Sequence, residues 1–265
     1  MKIQDSVAVV TGGASGIGKA LAEKLSAAGA RGVVVADLDL AGAERVAASL
    51  GGTGLAVRTD VADEDSVRRL VAATRDRFGP IDLFVSNAGL TVTGDFGASN
   101  EDWRRAIEVN LMAHVYAARA VVPGMLENGG GHLLQTIAAA GVLTAFGAGP
   151  YTVAKHGAVA FAEYLAVHYG EQGLGVSCLM PQAVNTPMLT ASVSDHKELA
   201  VLRSFSNVLE PEQVADIALA GIEANQIHIY PHPEAIDSFR LRAQDPDKWV
   251  AEMRAMRAGR GAGKR

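Results

Sequence analysis

Tyr151 and Lys155 stand four residues apart at the start of a predicted helix, a spacing suited to proton transfer. Side chains at positions i and i+4 of an α-helix lie on one face, one above the other. An ammonium beside a phenol favours the phenolate, so we expect the pKa of Tyr151 to fall below its ordinary value of about 10. Such a tyrosine can give or take a proton at a carbonyl or alcohol oxygen. A partly exposed helix face without chemistry also explains the pair, so its assignment depends on the rest of the chain.

The elements that would position this pair alternate between short apolar runs and longer segments with helical spacing. Apolar strands that alternate with long helices are typical of β-α-β units on a parallel sheet covered on both faces. We therefore predict an α/β fold, with a Rossmann-type doubly wound parallel sheet of about seven strands and helices on both faces. The predicted strands are 7–10, 33–35, 55–58, 81–85, 132–137, 176–180 and 226–230. The predicted helices are 16–28, 41–50, 64–78, 101–127 and 151–169, with another beginning at Pro211.

Composition restricts the classes of protein to which this chain can belong. Its 265 residues are 49% hydrophobic and 20% charged, which fits a soluble globular protein with a large core. The formal net charge of -5 argues against a general affinity for nucleic acid or for an anionic membrane. The chain begins directly with a strand pattern and holds no apolar run long enough to span a bilayer, so we expect a cytoplasmic protein.

The cysteine and the histidines do not suggest a disulfide or a metal site. Cys178 is the single cysteine and lies in an apolar run, so we expect a reduced thiol in the core. His114, His156 and His168 show no metal-ligand grouping. We interpret them as ordinary helix or surface residues and expect no metal.

A glycine-rich turn, residues 11–18, joins the first predicted strand to the first predicted helix. Glycines allow a sharp turn and a close approach to a pyrophosphate, which then faces the free N–H groups of the helix. Asp37 follows Gly18 by 19 positions, at the end of the second strand, where a carboxylate can accept hydrogen bonds from both hydroxyls of an adenine ribose. Neither Ser15 nor Leu38 supplies the positive charge that a 2′-phosphate needs, so we expect NAD(H) rather than NADP(H). A structural turn with a helix-capping aspartate is the alternative.

Together these motifs resemble the short-chain dehydrogenase/reductase superfamily, in its short single-domain branch, over residues 5–230. The resemblance rests on TGxxxGxG at 11–18, Asp60-Val61, Asn87-Ala88-Gly89, Asn110, Tyr151-x-x-x-Lys155 and the segment from Pro181 to Thr186. It implies that Asn110 holds a water on a proton relay. It also implies that Lys155 binds the nicotinamide ribose while tuning Tyr151.

The resemblance further implies a set of cofactor contacts along the strand ends. Asp60 and Val61 would line the adenine, residues 87–89 would lie beside the adenosine ribose, and Val184 and Thr186 would orient the carboxamide. The full set of expected cofactor-binding residues is Gly12, Ser15, Gly16, Ile17, Gly18, Asp37, Leu38, Asp60, Val61, Asn87, Ala88, Gly89, Tyr151, Lys155, Pro181, Val184 and Thr186.

Two positions depart from the pattern of the superfamily. A serine usually stands thirteen residues before the tyrosine, where it hydrogen-bonds the substrate oxygen, and here that position is Ala138. Losing such a donor costs on the order of 10²–10³ in rate, and Thr136, roughly 6–7 Å away along the strand, is not expected to replace it. Three explanations of the alanine remain open: an engineered variant that traps substrate, a slow natural enzyme, and a non-catalytic relative. The second departure is Gln182, which replaces the usual glycine after Pro181 and gives the substrate pocket a polar group.

The residues expected to face substrate are mostly apolar and include no cation for a carboxylate or phosphate. The leading hypothesis is an NAD(H)-dependent oxidoreductase that interconverts a secondary alcohol and a ketone on a mainly apolar small molecule, impaired by the missing serine. The alternatives are a non-catalytic NAD-binding relative and, disfavoured by the acidic charge, a nucleic-acid-binding protein. By resemblance we expect a homo-oligomer, a tetramer or a dimer. The substrate candidates are Ala138, Ala140, Phe146, Gln182 and Met188, with Val92, Phe96, Leu143 and Leu189 as further candidates.

The chain is expected to form one domain with an extension. Residues 1–230 form the predicted dinucleotide-binding and catalytic domain, in which 187–210 hang over the strand ends as a lid. Residues 231–265 form a C-terminal extension that packs on the body or on a neighbouring subunit, and its basic end, 257–265, is expected to be disordered. The apolar residues expected to make this packing are Ile236, Phe239, Trp249, Met253 and Met256.

Overall fold

The computed structural model describes residues 1–191 and 207–262, and within them a seven-stranded parallel sheet forms the centre. The strands are β1 Val7–Thr11, β2 Gly32–Asp37, β3 Gly54–Arg58, β4 Leu83–Ser86, β5 Gly131–Thr136, β6 Leu174–Leu179 and β7 His228–Ile229. Their order across the sheet is β3-β2-β1-β4-β5-β6-β7, and each neighbouring pair is parallel. This arrangement confirms the predicted Rossmann-type doubly wound sheet.

Helices cover both faces of the sheet, because the strands present apolar side chains on both sides. Successive residues of a strand point to opposite faces, so Val10 joins one core and Val9 the other. The first core lies under α1 Gly16–Ala27, α2 Leu40–Ser49 and α8 Pro211–Glu223. The second lies under α3 Glu64–Phe78, α5 Ala113–Glu127 and α6 Gly149–Tyr169. Burial on both sides explains why the strands are continuous apolar runs.

The predicted helix at 64–78 begins and ends at the expected residues. Asp63 caps it by accepting a hydrogen bond from the main-chain N–H of Asp65 at 3.0 Å. Gly79 follows the last helical residue with a φ of 87°, a conformation that costs glycine little.

The long helix predicted at 101–127 is interrupted. It consists of α4 Asn100–Ile107, a π-helical turn Glu108–Met112, and α5. A π turn inserts one extra residue and often marks a functional position. Asn110 lies in this turn, where its side-chain Nδ2 donates to the carbonyls of Ala106 and Leu90 at 3.1 and 3.0 Å. These bonds tie the helix to the loop that follows β4, a tertiary contact that helical periodicity does not reveal.

The C-terminal extension contains two helices, α9 Glu234–Gln244 and α10 Pro246–Ala262. Phe239 packs against the second core, and Arg242 donates to the Val142 carbonyl and lies 2.7 Å from His156 Nε2. Helix α9 therefore packs on the body of the same chain, and α10 contacts α9. Helix α10 covers much of the basic end that was expected to be disordered, and residues 263–265 lie outside the described residues. A short helix, α7 Pro187–Ala191, opens the expected lid, whose residues 192–206 also lie outside them.

The histidines occupy three different environments. His114 lies in α5 but is fully buried, with Nδ1 2.8 Å from Ser86 Oγ; burial, with the nearby charge of Lys155, lowers its pKa to about 3. It is a core residue rather than a surface residue. His156 is half-buried and His168 exposed. Cys178 is a buried free thiol, as expected, and burial raises its pKa to about 12. Residues 1–191 and 207–262 contain no helix of the length and hydropathy needed to span a membrane.

Candidate active site

A cavity of about 550 Å³ opens at the carboxyl ends of the strands. It lies where β1 and β4 are neighbours and the strand order reverses, the usual ligand position in open α/β sheets. It is lined by every expected cofactor-binding residue except Gly18, and also by Asn110, Ala138, Gln182, Met188 and Leu189. The fold thus brings together residues that are up to 177 positions apart, from Gly12 to Leu189.

The glycine-rich turn packs too closely against its surroundings for larger residues. A Cβ on Gly12, whose φ is 65°, would lie 2.9 Å from the Cα of Ala88. A Cβ on Gly18 would lie 2.1 Å from the carbonyl oxygen of Gly12, so Gly18 allows α1 to pack on the turn and does not line the cavity. Ser15, the N-cap of α1, makes no side-chain capping bond. The first N–H groups of α1 therefore remain available to an anion.

Asp37 is held at the end of β2 by main-chain groups. Its Oδ2 accepts from the N–H of Ala14 and its Oδ1 from the N–H of Asp39, each at 3.0 Å. The residue that caps α2 is Asp39, whose side chain accepts from Gly42, so the capping alternative does not apply to Asp37. Both carboxylate oxygens keep a lone pair for a ligand. Among the described residues that line the cavity, Lys155 is the only basic one.

Thr11 and Asn87 join the glycine-rich turn to the end of β4. Thr11 Oγ1 accepts from the main-chain N–H groups of Asn87 and Ala88 at 2.9 and 3.1 Å. Asn87 Nδ2 donates to the Thr11 carbonyl at 3.0 Å. These bonds fix the two walls of the cavity relative to each other before any ligand binds.

Tyr151 and Lys155 share a face of α6, as their spacing predicts. Lys155 is 3% exposed, donates from Nζ to the Thr136 carbonyl at 2.9 Å, and lies 5.6 Å from the centre of the Tyr151 ring. Burial lowers the pKa of Lys155 to about 7 and raises the pKa of Tyr151 to about 12. The predicted lowering of the Tyr151 pKa is therefore wrong for this structure. The ammonium is bound to a carbonyl, and desolvation of the phenolate is the larger effect.

Ala138 follows β5 in a backbone conformation that is rare for residues with a side chain. Its φ is 80° and its ψ 159°. Such a conformation costs of order 1–3 kcal/mol and occurs mainly at functional sites. The Ala138 N–H donates to the Leu179 carbonyl at 3.2 Å, and the residue lines the cavity without a side-chain donor. Thr136 does not replace it, because its Oγ1 is closed off from solvent and has no hydrogen-bond partner among the described residues.

The substrate candidates divide into two groups. Ala138, Gln182, Met188 and Leu189 line the cavity. The others lie elsewhere: Ala140 is in a turn that packs on α6, Leu143 packs against the second core, Val92 is buried, Phe96 is 95% exposed, and Phe146 is outside the lining. Sequence reasoning missed lining residues that lie within two positions of recognised motif residues, which is the signal that would have found them: Thr59, Leu90, Thr91, Val109, Ile137 and Pro187.

Comparison with known proteins shows the family of the chain. A family model described as short chain dehydrogenase matches residues 6–197. The chain belongs to this family. This short-chain dehydrogenase is 36% identical over 261 residues to a 1-deoxy-11-beta-hydroxypentalenate dehydrogenase of Streptomyces exfoliatus, covering 94% of the chain and 90% of the relative. It is 32% identical over 221 residues to a cyclohexanol dehydrogenase of Acinetobacter sp. (strain SE19), covering 82% and 87%.

A solved structure is similar to this short-chain dehydrogenase in both fold and sequence. It is a short chain dehydrogenase/reductase from Burkholderia phymatum in complex with NAD, with a TM-score of 0.83 and 30% identity. The match covers 93% of this chain and 96% of the other. The similarity therefore extends over most of both chains.

Proposed function

We propose that this protein is an NAD(H)-dependent oxidoreductase that interconverts a secondary alcohol and a ketone on a mainly apolar small molecule. The observation that carries the proposal is the position of Tyr151 and Lys155 in the same cavity as the glycine-rich turn and Asp37. The names of the pentalenate and cyclohexanol dehydrogenases support a ring-bearing alcohol as substrate. The cavity lining includes the apolar side chains of Ile137, Pro181, Met188 and Leu189, which suit such a substrate.

The residues of the cavity fit NAD(H). The uncapped start of α1 suits a pyrophosphate, and the Asp37 carboxylate suits the two hydroxyls of an adenine ribose. When bound, NAD(H) supplies the hydride acceptor or donor of the reaction. Val184 and Thr186 would orient its carboxamide, and Lys155 would contact its nicotinamide ribose.

The protein's own residues would handle the proton. Tyr151 would give a proton to the ketone oxygen or take one from the alcohol, and the Lys155 ammonium, 5.6 Å from the centre of the Tyr151 ring, would oppose the cost of desolvating the phenolate. Asn110 uses both amide hydrogens within the protein, while its Oδ1 accepts from the N–H of Leu90 at 3.1 Å. That oxygen keeps one lone pair with which Asn110 can hold a relay water.

Cofactor choice is the first testable consequence. Replacing Asp37 by alanine should weaken NADH binding by about 10–100-fold, because charge-assisted hydrogen bonds to the ribose are lost. The same change should strengthen NADPH binding, because the repulsion of a 2′-phosphate is removed. Calorimetry on the unmodified protein, Asp37→Ala and the neutral control Asp37→Asn measures both affinities. Equal affinities for NADH and NADPH in the unmodified protein would rule out this role for Asp37.

Turnover tests the proposed reaction itself. We expect slow oxidation of NADH with cyclohexanone and larger cyclic ketones, and none with a ketone that carries a carboxylate beside the carbonyl. The alternative, an NAD-binding protein without turnover, is favoured by Ala138. NADH binding with no consumption of any ketone or alcohol, at high protein concentration, would establish that alternative.

A further inference from the structure

His232 lies between β7 and α9, outside the lining of the cavity, and is 1% exposed. Its Nδ1 lies 3.1 Å from the main-chain nitrogen of Gln182, and its Nε2 lies 2.9 Å from the carbonyl oxygen of Asn207. A main-chain N–H only donates and a carbonyl oxygen only accepts. These two partners assign His232 as the neutral tautomer with its proton on Nε2.

The partner of Nδ1 belongs to a wall of the cavity. Residues 181–186, called here the 181–186 wall, contribute Pro181, Gln182, Val184 and Thr186 to the lining. The wall follows β6 but leaves the sheet, since the last ladder bond there runs from the Met180 N–H to the Ile229 carbonyl at 2.9 Å. The Gln182 N–H therefore has no strand carbonyl as a partner and donates to His232 Nδ1 instead.

Other bonds connect the 181–186 wall to its surroundings. The Pro181 carbonyl accepts from the N–H of Ala139 at 2.9 Å, which joins the wall to the turn that begins at Ala138. On its other side, Val184 forms a parallel bridge with Leu209. His232 binds Gln182 in the wall and Asn207 in the segment that pairs with the wall through Leu209. It therefore fixes both segments with a single imidazole.

We propose that His232 is a positioning residue, which acts through Nδ1 to hold the 181–186 wall in the geometry that receives the nicotinamide half of NAD(H). The inference rests on the proposed function, because that function assigns the wall to the nicotinamide end of the cavity. Without the acceptor, the Gln182 N–H loses its protein partner on the side that faces the buried imidazole, and the wall shifts to satisfy it. Asp37, at the end of β2 and across the sheet centre from β6, is unaffected. The wall meets the glycine-rich turn at its far end from Gln182, where Thr186 lies beside Gly16.

Two substitutions separate the two bonds of His232. His232→Asn keeps an acceptor oxygen near the position of Nδ1 and loses the donor, whereas His232→Gln keeps a donor near Nε2 and loses the acceptor. Each removes one buried hydrogen bond, so their melting temperatures serve as matched controls for stability. The binding probes are NADH and ADP-ribose, which lacks the nicotinamide.

We expect His232→Gln to bind NADH about tenfold more weakly, the effect of one lost buried hydrogen bond, and to bind ADP-ribose as the unmodified protein does. His232→Asn should keep both affinities. Hydrogen exchange at the Gln182 amide should be slow in the unmodified protein and in His232→Asn, and fast in His232→Gln. An unchanged ratio of NADH to ADP-ribose affinity in His232→Gln would overturn the positioning role. Failure of the unmodified protein to bind either probe would instead overturn the proposed function.

Discussion

Tyr151→Phe is expected to reduce turnover by about 10²–10⁴, to the background rate, while NADH affinity stays nearly unchanged. The substitution removes only the hydroxyl, which is assigned to the substrate oxygen, and keeps the ring over which Lys155 lies at 5.6 Å. Steady-state kinetics with a cyclic ketone and calorimetry with NADH measure the two quantities separately. The decrease in kcat should therefore not be accompanied by a decrease in NADH affinity.

A control for this experiment lies on the same helix. Tyr164 is 50% exposed, stacks on His168 and does not line the cavity, so Tyr164→Phe should leave turnover unchanged. Lys155→Ala, in contrast, should damage both turnover and NADH binding, since its ammonium is assigned to the cofactor ribose and to Tyr151. Retention of activity by Tyr151→Phe would exclude the tyrosine as the proton donor.

Ala138→Ser is expected to raise kcat by about 10²–10³. One donor aimed at a developing oxyanion in a water-poor site is worth roughly 3–4 kcal/mol in the transition state, and alanine supplies none. The backbone already holds this residue at a φ of 80° beside the cavity. Serine therefore adds a hydroxyl without a new backbone strain, and NADH affinity should change little.

The same turn supplies the control for Ala138→Ser. Ala140 lies two residues further, outside the lining of the cavity, so Ala140→Ser adds an equivalent hydroxyl where it cannot reach substrate. We expect no gain in kcat from it. If Ala138→Ser gains nothing on any ketone or alcohol that the protein binds, Ala138 is not a weakened catalytic position. The non-catalytic alternative then becomes the better explanation.

The strand pattern and the motifs were sufficient for the sheet and for most of the cavity lining. Apolar runs such as 33–35 predict buried parallel strands because both faces of the sheet must be covered. Strand ends then bring Asp37, Asn87 and Pro181 together, since parallel strands end at one edge. Spacing placed the glycine-rich turn, Asp37 and the pair Tyr151 and Lys155, whereas the resemblance to the superfamily supplied Asp60, Val61, Val184 and Thr186.

What sequence reasoning could not give depends on tertiary contacts. The pKa of Tyr151 is raised because burial outweighs an ammonium that instead binds the Thr136 carbonyl. Likewise, the π turn contains Asn110, whose side chain is hydrogen-bonded to Leu90 in the loop after β4. Ala140 and Phe146 were near the right motif, but the chain after β5 places Ala138 in the cavity lining and leaves Ala140 and Phe146 outside it. None of these contacts produces a periodic pattern in the sequence from which it could be predicted.

The burial of Lys155 has a thermodynamic consequence for ligand binding. Because burial lowers the pKa of Lys155 to about 7, its ammonium is held less firmly near neutral pH than that of an exposed lysine. A ligand that brings oxygen acceptors to Nζ favours the ammonium, so its binding draws protons from the buffer. Affinity for such a ligand then decreases as the pH rises above 7, and the heat of binding depends on the ionisation enthalpy of the buffer. Ligand binding in this cavity is therefore expected to be coupled to proton uptake at Lys155, independently of any reaction.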